Sequence, residues 1–329
     1  MKTNVTHIHN GKRAAAPVAQ KATLAPHFLT GTEFSRTELI ALLDLAETMK
    51  ADRAAGTARY DLQGQTVILL FEKPSLRTRV SFMVAVQELG GSVVEVNQSA
   101  RKHEEPEDTI RVLGGYAHGV MVRTFEHSNL ERMVEKSNVP VINGLSDSHH
   151  PCQVLADLQT LRQSFGELKG LKLTYVGDGN NMLHSLLLLA PFLGVSVNYA
   201  CPEGYQPDPM VVALAKKRAR GTGAQISAFA DPVEAVKGTN AVYTDVWASM
   251  GFEDEANDRD KAFAKYALTE QLYSHAAPGA LIMHCMPMIR DKEIAASLVD
   301  HECSALFRQS ENRMHAQKAL LSTLMGRRH

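Results

Sequence analysis

Past residue 66 the chain alternates short unbroken apolar runs with longer stretches in which apolar residues return every three or four positions. Runs such as Val67-Ile68-Leu69-Leu70 suit strands buried on both faces, and the wider spacing suits helices laid over them. Before this alternation begins, a helix is predicted where Ser35 and Glu38 have the spacing of a capping box and Leu39, Leu42, Leu43 and Met49 follow. Strands are predicted over 67–71, 92–96, 119–123 and 139–143, with helices after Pro74, near 108–114 and after Gln153. A second set is predicted over 171–176, 195–200, 224–229, 241–244 and 279–283, with helices from Asp208 and Asp231 and a last one from about Ser310. This order predicts an α/β protein: two doubly wound parallel-sheet domains of similar size with a cleft between them. The expected division is a flexible N-terminal extension over 1–24, a first domain over 25–162 and a second over 163–309, with helix 310–326 packing back on the first. The charge-rich segment 252–261 reads as a mobile loop.

Polar groups recur just past the strand ends, where an open parallel sheet places its ligand crevice. Ser75-Leu76-Arg77-Thr78-Arg79 falls on a strand-to-helix turn. The first N–H groups of a helix have no intrahelical partner and attract anions, Ser75 and Thr78 add hydroxyls, and Arg77 adds a planar fork suited to phosphate or carboxylate. Arg123 ends another strand, and His150 with Gln153 follows a fourth, so all of these face one cleft. The segment Gly177-Asp178-Gly179-Asn180-Asn181-Met182 begins like a dinucleotide fingerprint, but Met182 replaces its third glycine and only Glu203 stands near the place of the ribose-binding acid. NAD is therefore not expected, and the paired asparagines suit a small polar ligand.

Composition narrows the partners. A net charge of -1 on 329 residues gives no electrostatic reason to expect nucleic acid or a membrane surface. Cys152, Cys201, Cys285 and Cys303 form no CxxC pair, so neither a disulfide framework nor a structural metal site is suggested, and a reducing cytoplasm is the expected setting. No apolar run is long enough to span a bilayer.

Seven segments, in order, resemble the aspartate/ornithine carbamoyltransferase family: FEKPSLRTRVSF from Phe71, MVRT to Thr124, HHPCQ from His149, GDGNN from Gly177, DVWASMG from Asp245, HCMP from His284 and ENRMH from Glu311. The resemblance covers the chain after about residue 25. It implies that Ser75, Leu76, Arg77, Thr78, Arg123, His150 and Gln153 bind carbamoyl phosphate, Leu76 through its backbone N–H alone. It further implies that Asn181, Asp245, Ser249 and Met250 bind ornithine, with Asn180 an alternative to Asn181, and that Cys285, Met286 and Arg313 close the reaction centre. Arg77, Arg123, His150, Cys285 and Arg313 are the expected catalytic residues. Ser-Met-Gly after Asp245 is the pattern of the ornithine-using members. No cofactor and no metal are implied. The family also implies a homotrimer or a multiple of trimers, with a polar loop, here 97–107 with Lys102, reaching a neighbouring subunit's site. The chain departs from the family pattern at Leu76, at Met286, at Met288-Ile289-Arg290-Asp291 and in the 97–107 loop. Acetylornithine, putrescine or aspartate as the amine, a non-catalytic anion-binding relative, and a metal hydrolase built on His149, His150 and Cys152 are the alternative readings.

Overall fold

The computed structural model describes residues 27–97, 104–247 and 256–326. Its first half runs α1 (Arg36–Ala54), β1 (Thr66–Phe71), α2 (Leu76–Glu88), β2 (Ser92–Asn97), α3 (Pro106–Gly114), β3 (Gly119–Arg123), α4 (His127–Val134), β4 (Val141–Leu145) and α5 (Pro151–Phe165). The capping box at the start of α1 is closed in both directions: the Glu38 N–H donates to Ser35 Oγ, and the Ser35 N–H donates to Glu38 Oε2. The second half runs β5 (Lys172–Val176), α6 (Asn181–Leu189), β6 (Ser196–Ala200), α7 (Pro209–Arg218), β7 (Ile226–Phe229), α8 (Pro232–Val236), β8 (Ala241–Thr244), α9 (Ala256–Phe263), α10 (Glu270–Tyr273), β9 (Leu281–His284), α11 (Ala296–Val299) and α12 (Leu306–Met325).

The strands form two wholly parallel sheets, in the orders β2-β1-β3-β4 and β7-β6-β5-β8-β9. The expected fold class is thus present. Inner strands β3 and β8 are buried throughout, whereas edge strand β2 is half-exposed. One hydrophobic core, from Leu39 and Phe82 through Leu155 and Leu158 to Leu186, Tyr243 and Leu320, runs continuously under both sheets. Helix α12 packs against α1, α2 and α5. Full burial of Leu320 and Leu321 stabilises that packing by about 1.5–3 kcal/mol each. Lys318, almost fully buried, is neutralised by Glu88 at 2.8 Å.

Three expectations need correction. Strand β4 begins at Val141 because Ser137 turns the chain, its Oγ donating to Val139 O, and Pro140 has no N–H to offer. Helix α12 starts at Leu306, four residues before Ser310. The segment 252–261 is no simple charged loop: from Ala256 it is helical, and Arg259 turns inward to a buried ion pair. The N-terminal extension, most of the 97–107 loop including Lys102, and Ser249 and Met250 lie outside the described residues.

Candidate active site

The first sheet changes winding direction between β1 and β3, the second between β5 and β8. A crevice opens at such a switch point, beyond the strand C-termini. The segments leaving these four strands carry Ser75 to Thr78, Arg123, Asn180 and Asp245.

One wall is cationic. Ser75 is the N-cap of α2, its Oγ accepting from the Thr78 N–H at 3.3 Å. Thr78 Oγ1 in turn accepts from Arg313 Nη2 at 2.8 Å, which ties α12 to the turn. Arg123 is 6% exposed and Arg313 3%. Burial, with the positive charges of Arg313 and Arg77, pushes the Arg123 guanidinium down to about 10. Burial lowers Arg77 and Arg313 as well, and Arg77 adds to the effect on Arg313. His150 caps α5, and its N–H donates to Ser185 Oγ at 2.8 Å. Burial and the same three arginines hold its imidazole well below the ordinary histidine value, so it is neutral at neutral pH. The Nε atoms of all three arginines, Nδ1 of His150 and Oε1 of Gln153 are buried without a protein hydrogen-bond partner among the described residues. Mutually repelling cations with buried donors left over favour a multiply charged anion. Leu76, 72% exposed, offers this wall only its main chain.

The facing wall is built around a carboxylate. Asn180 caps α6, its Oδ1 accepting from the Met182 N–H at 2.9 Å, and its Nδ2 donates to Asp245 Oδ2 at 2.9 Å. Asp245 Oδ1 accepts from the Val246 N–H at 2.8 Å and from the Cys285 thiol at 2.9 Å. Burial and the Asp245 charge push that thiol well above its ordinary value, so it stays protonated. Asn181 instead donates to Ser146 O at 2.7 Å, joining the second sheet's first helix to the loop after β4. Gly179 lets this turn close, since a Cβ there would lie 2.3 Å from Pro207 N. Met286, half-buried with φ 61, packs on the second sheet's core.

His284 is turned away from Cys285. Its Nδ1 accepts from the Met286 N–H at 2.8 Å, and its Nε2 meets Glu293 Oε1 at 3.1 Å, so it is not poised to act as base for the thiol. Among the described residues, the three potential metal ligands whose donor atoms gather, within 4.8 Å, are Asp245, His284 and Cys285. The hydrogen bonds above already occupy those atoms. His149, His150 and Cys152 form no such group: His149 packs edge-on against His127, and the Cys152 thiol, pushed up to about 12 by burial, donates to Asn143 O.

Two parts of the site carry no sequence signal of their own. Arg259 Nη1 donates to Asp178 Oδ2 at 2.7 Å and to Trp247 O at 2.9 Å, bracing both flanks of the carboxylate wall. Asp157 and Gln309 link the two walls from beneath.

A doubly wound two-sheet protein with a cationic wall opposite a carboxylate and a thiol is thereby defined, and comparison with known proteins places it. Residues 26–163 match the aspartate/ornithine carbamoyltransferase carbamoyl-P binding domain, and residues 169–324 match the Asp/Orn binding domain. The chain belongs to the aspartate/ornithine carbamoyltransferase family. An ornithine carbamoyltransferase of Thermococcus kodakarensis is 45% identical over 297 residues, 89% of this chain and 94% of that protein. The structure of ornithine carbamoyltransferase from Pyrococcus furiosus superposes with a TM-score of 0.89 at 42% identity, covering 92% of this chain and 98% of that one. An N-acetyl-L-ornithine transcarbamylase structure is more distant, at 27% identity and a TM-score of 0.81 over 91% of this chain and 99% of the other.

Proposed function

We propose that this enzyme transfers the carbamoyl group of carbamoyl phosphate to the δ-amine of L-ornithine, giving L-citrulline and phosphate. The observation that carries the reading is the convergence of Arg77, Arg123, Arg313 and neutral His150 at one switch point, facing the Asp245–Cys285 pair at the other.

The turn from Ser75 to Thr78, with Arg77, holds the phosphate. Arg123, His150 and Arg313 donate to the carbonyl oxygen as it gains charge, each such preorganised donor being worth roughly 10²–10³ in rate. Gln153 accepts from the carbamoyl N–H. Asp245, Ser249, Met250 and the adjacent asparagines hold ornithine, with Asp245 taking the α-amino group. Asn180 is already bound to Asp245, which makes it a support for that carboxylate, and Asn181 reaches ornithine through the rest of its amide.

An alkylamine of pKa about 10.4 must shed a proton before it attacks, and a buried site lined by cations favours its neutral form. The amine attacks the carbonyl carbon, the C–O bond to phosphate breaks, and phosphate leaves with that electron pair and takes up the proton that the attacking nitrogen gives up. No covalent enzyme intermediate is needed. The protonated Cys285 thiol is a donor to Asp245 and suits this direct route better than nucleophilic catalysis.

In this reading residues 25–162, with α12, form the carbamoyl-phosphate domain and 163–309 the ornithine domain, after a flexible extension over 1–24. The enzyme is a cytoplasmic homotrimer or a multiple of trimers. Exposed Val80 on α2 and Val94 on edge strand β2 are apolar groups open to a neighbouring subunit, and all four cysteines are free thiols, as a reducing compartment favours. Among the described residues no helix is long and apolar enough to cross a membrane. The deciding experiment is citrulline formation by wild type and by Arg77→Ala. Wild type is expected to turn over, and Arg77→Ala to lose at least about 10² in rate at saturating carbamoyl phosphate. Full activity in the variant refutes the role given to the turn.

A further inference from the structure

Beneath the crevice lies a buried polar chain that the transfer chemistry leaves unused. Asp157 sits on α5 one turn beyond Gln153, with no exposed surface, among Val154, Leu155, Leu158 and Leu161. Its Oδ1 accepts from Gln153 Nε2 at 2.9 Å and from Gln309 Nε2 at 2.7 Å. Gln309, on α12, also reaches Tyr243 Oη at 3.1 Å, and its Oε1 accepts from the backbone N–H of His284 at 3.0 Å, the residue before Cys285. One carboxylate oxygen thus joins a carbamoyl-side residue to the strand end that carries the amine-side thiol.

The direction of these bonds matters. A side-chain amide has one donating end and one accepting end, and a carboxylate only accepts. Asp157 therefore holds Gln153 by its NH₂ and leaves Gln153 Oε1 as the free acceptor, buried without a protein partner. A carbamoyl group carries an NH₂ that needs such an acceptor. By the same logic Gln309 must present its oxygen to the His284 N–H. Reversing either amide would set an NH₂ where an acceptor is required.

Keeping a carboxyl here is costly, because among the described residues no cation bonds it directly. Burial pushes it up to about 7, opposed by hydrogen bonds from Gln153, Gln309 and Tyr243; in the neutral acid the proton belongs on Oδ2, which has no partner among the described residues, so Oδ1 accepts from both amides in either state. A leucine would fill the volume without that penalty but would leave both amides unoriented.

We infer that Asp157 is a positioning residue for both substrates, setting the Gln153 acceptor for the carbamoyl group and, through Gln309, the strand end that brings Cys285 to Asp245. The inference rests on the carbamoyl-transfer reading above.

The test compares full-length wild type with Asp157→Leu, Asp157→Asn and Gln309→Leu, measuring kcat, both KM values and Tm. Asp157→Leu is expected to raise both KM values about tenfold, the scale of one lost buried partner. Asp157→Asn keeps an oxygen at the Oδ1 position and is expected to restore both to within about twofold. Gln309→Leu leaves the Asp157–Gln153 pair intact, so it is expected to raise the ornithine KM about tenfold while the carbamoyl phosphate KM stays within about twofold. A purely structural Asp157 would lower Tm and the active fraction while every folded variant kept wild-type KM values, and that result overturns the inference. If Asp157→Leu does not fold, Gln309→Leu decides: a rise in the ornithine KM alone supports the inference, and equal effects on both substrates, or none, overturn it. Unchanged constants beside an active wild type refute only the role of Asp157. A wild type that forms no citrulline refutes the functional reading itself.

Discussion

Replacing Arg123 with methionine should make the ligand-free protein more stable and the enzyme nearly inactive. Arg123 is 6% exposed, lies among other cations, and its Nε has no protein partner. Its pKa is pushed down from the ordinary arginine value to about 10 in the folded protein, first by burial and then by Arg313 and Arg77. The sign follows from linkage. At neutral pH the group is charged in both folded and unfolded states, but holding that charge in the folded state costs about 3 kcal/mol, at 1.36 kcal/mol per pKa unit. Methionine fills much of the same volume without the charge, so much of that cost is recovered, and Tm should rise on the order of 3–5 °C. The same substitution removes a donor from the carbonyl oxygen and a cation from the phosphate site, so kcat/KM should fall by about 10²–10³. Thermal unfolding with and without carbamoyl phosphate, alongside steady-state rates, tests both halves. Carbamoyl phosphate should raise the Tm of wild type and raise that of Arg123→Met much less. A variant that is less stable without ligand, or that keeps wild-type kcat/KM, refutes the reasoning.

Other outcomes follow from neighbouring groups. Arg259→Leu strands the buried Asp178 carboxylate and should cost about 3–5 kcal/mol; steady-state rates should show the ornithine KM rising while the carbamoyl phosphate KM holds. Cys285, buried and pushed upward by burial and Asp245, should react with iodoacetamide far more slowly than half-buried Cys303, as peptide mass mapping of the native protein would show. Acid should destabilise the fold through His149, which burial, with His127 and His184 beside it, pushes down to about 3. Its pKa is depressed on folding, so its contribution is complete above about 6.5 and is lost as pH falls toward 3, on the order of 5 kcal/mol in all. His149→Gln should flatten the acid limb of a Tm-against-pH curve relative to wild type.

What was legible in the sequence follows from which physical signal each part emits. β3 and β8 are apolar runs because both of their faces are covered, and the expected strands 119–123 and 241–244 coincide with them to the residue. The turn from Ser75 to Thr78 was legible because helix N-termini use a short list of residue types. Helix α4 was missed: its N-cap, Glu126, makes no side-chain capping bond, and only Leu130 and Met133 of its eight residues are buried. Periodicity also assigns polar residues to the surface, which hid the buried ones. Asp157 among leucines, Arg259 in a charge-rich stretch, and Gln309 ahead of the expected start of α12 are all buried because partners come from distant segments: Asp157 and Gln309 meet each other, and Arg259 meets Asp178. The resemblance favours Asn181 over Asn180 for ornithine, and adjacent amides carry no further signal to separate their roles; the start of α6 directs Asn180 to Asp245 and Asn181 to Ser146.

Choice of amine tests the central claim most directly. With carbamoyl phosphate saturating, kcat/KM is measured for L-ornithine, N-acetyl-L-ornithine, putrescine and L-aspartate on the same preparation. If Asp245, held by Asn180 and Cys285, takes the α-amino group, L-ornithine should be preferred by at least about 10² over N-acetyl-L-ornithine, whose acylated α-nitrogen carries no charge and leaves that buried carboxylate without its cationic partner; putrescine keeps an ammonium there but loses every contact of the α-carboxylate, so it too should turn over more slowly. Equal or better turnover of putrescine, N-acetyl-L-ornithine or L-aspartate would contradict the account.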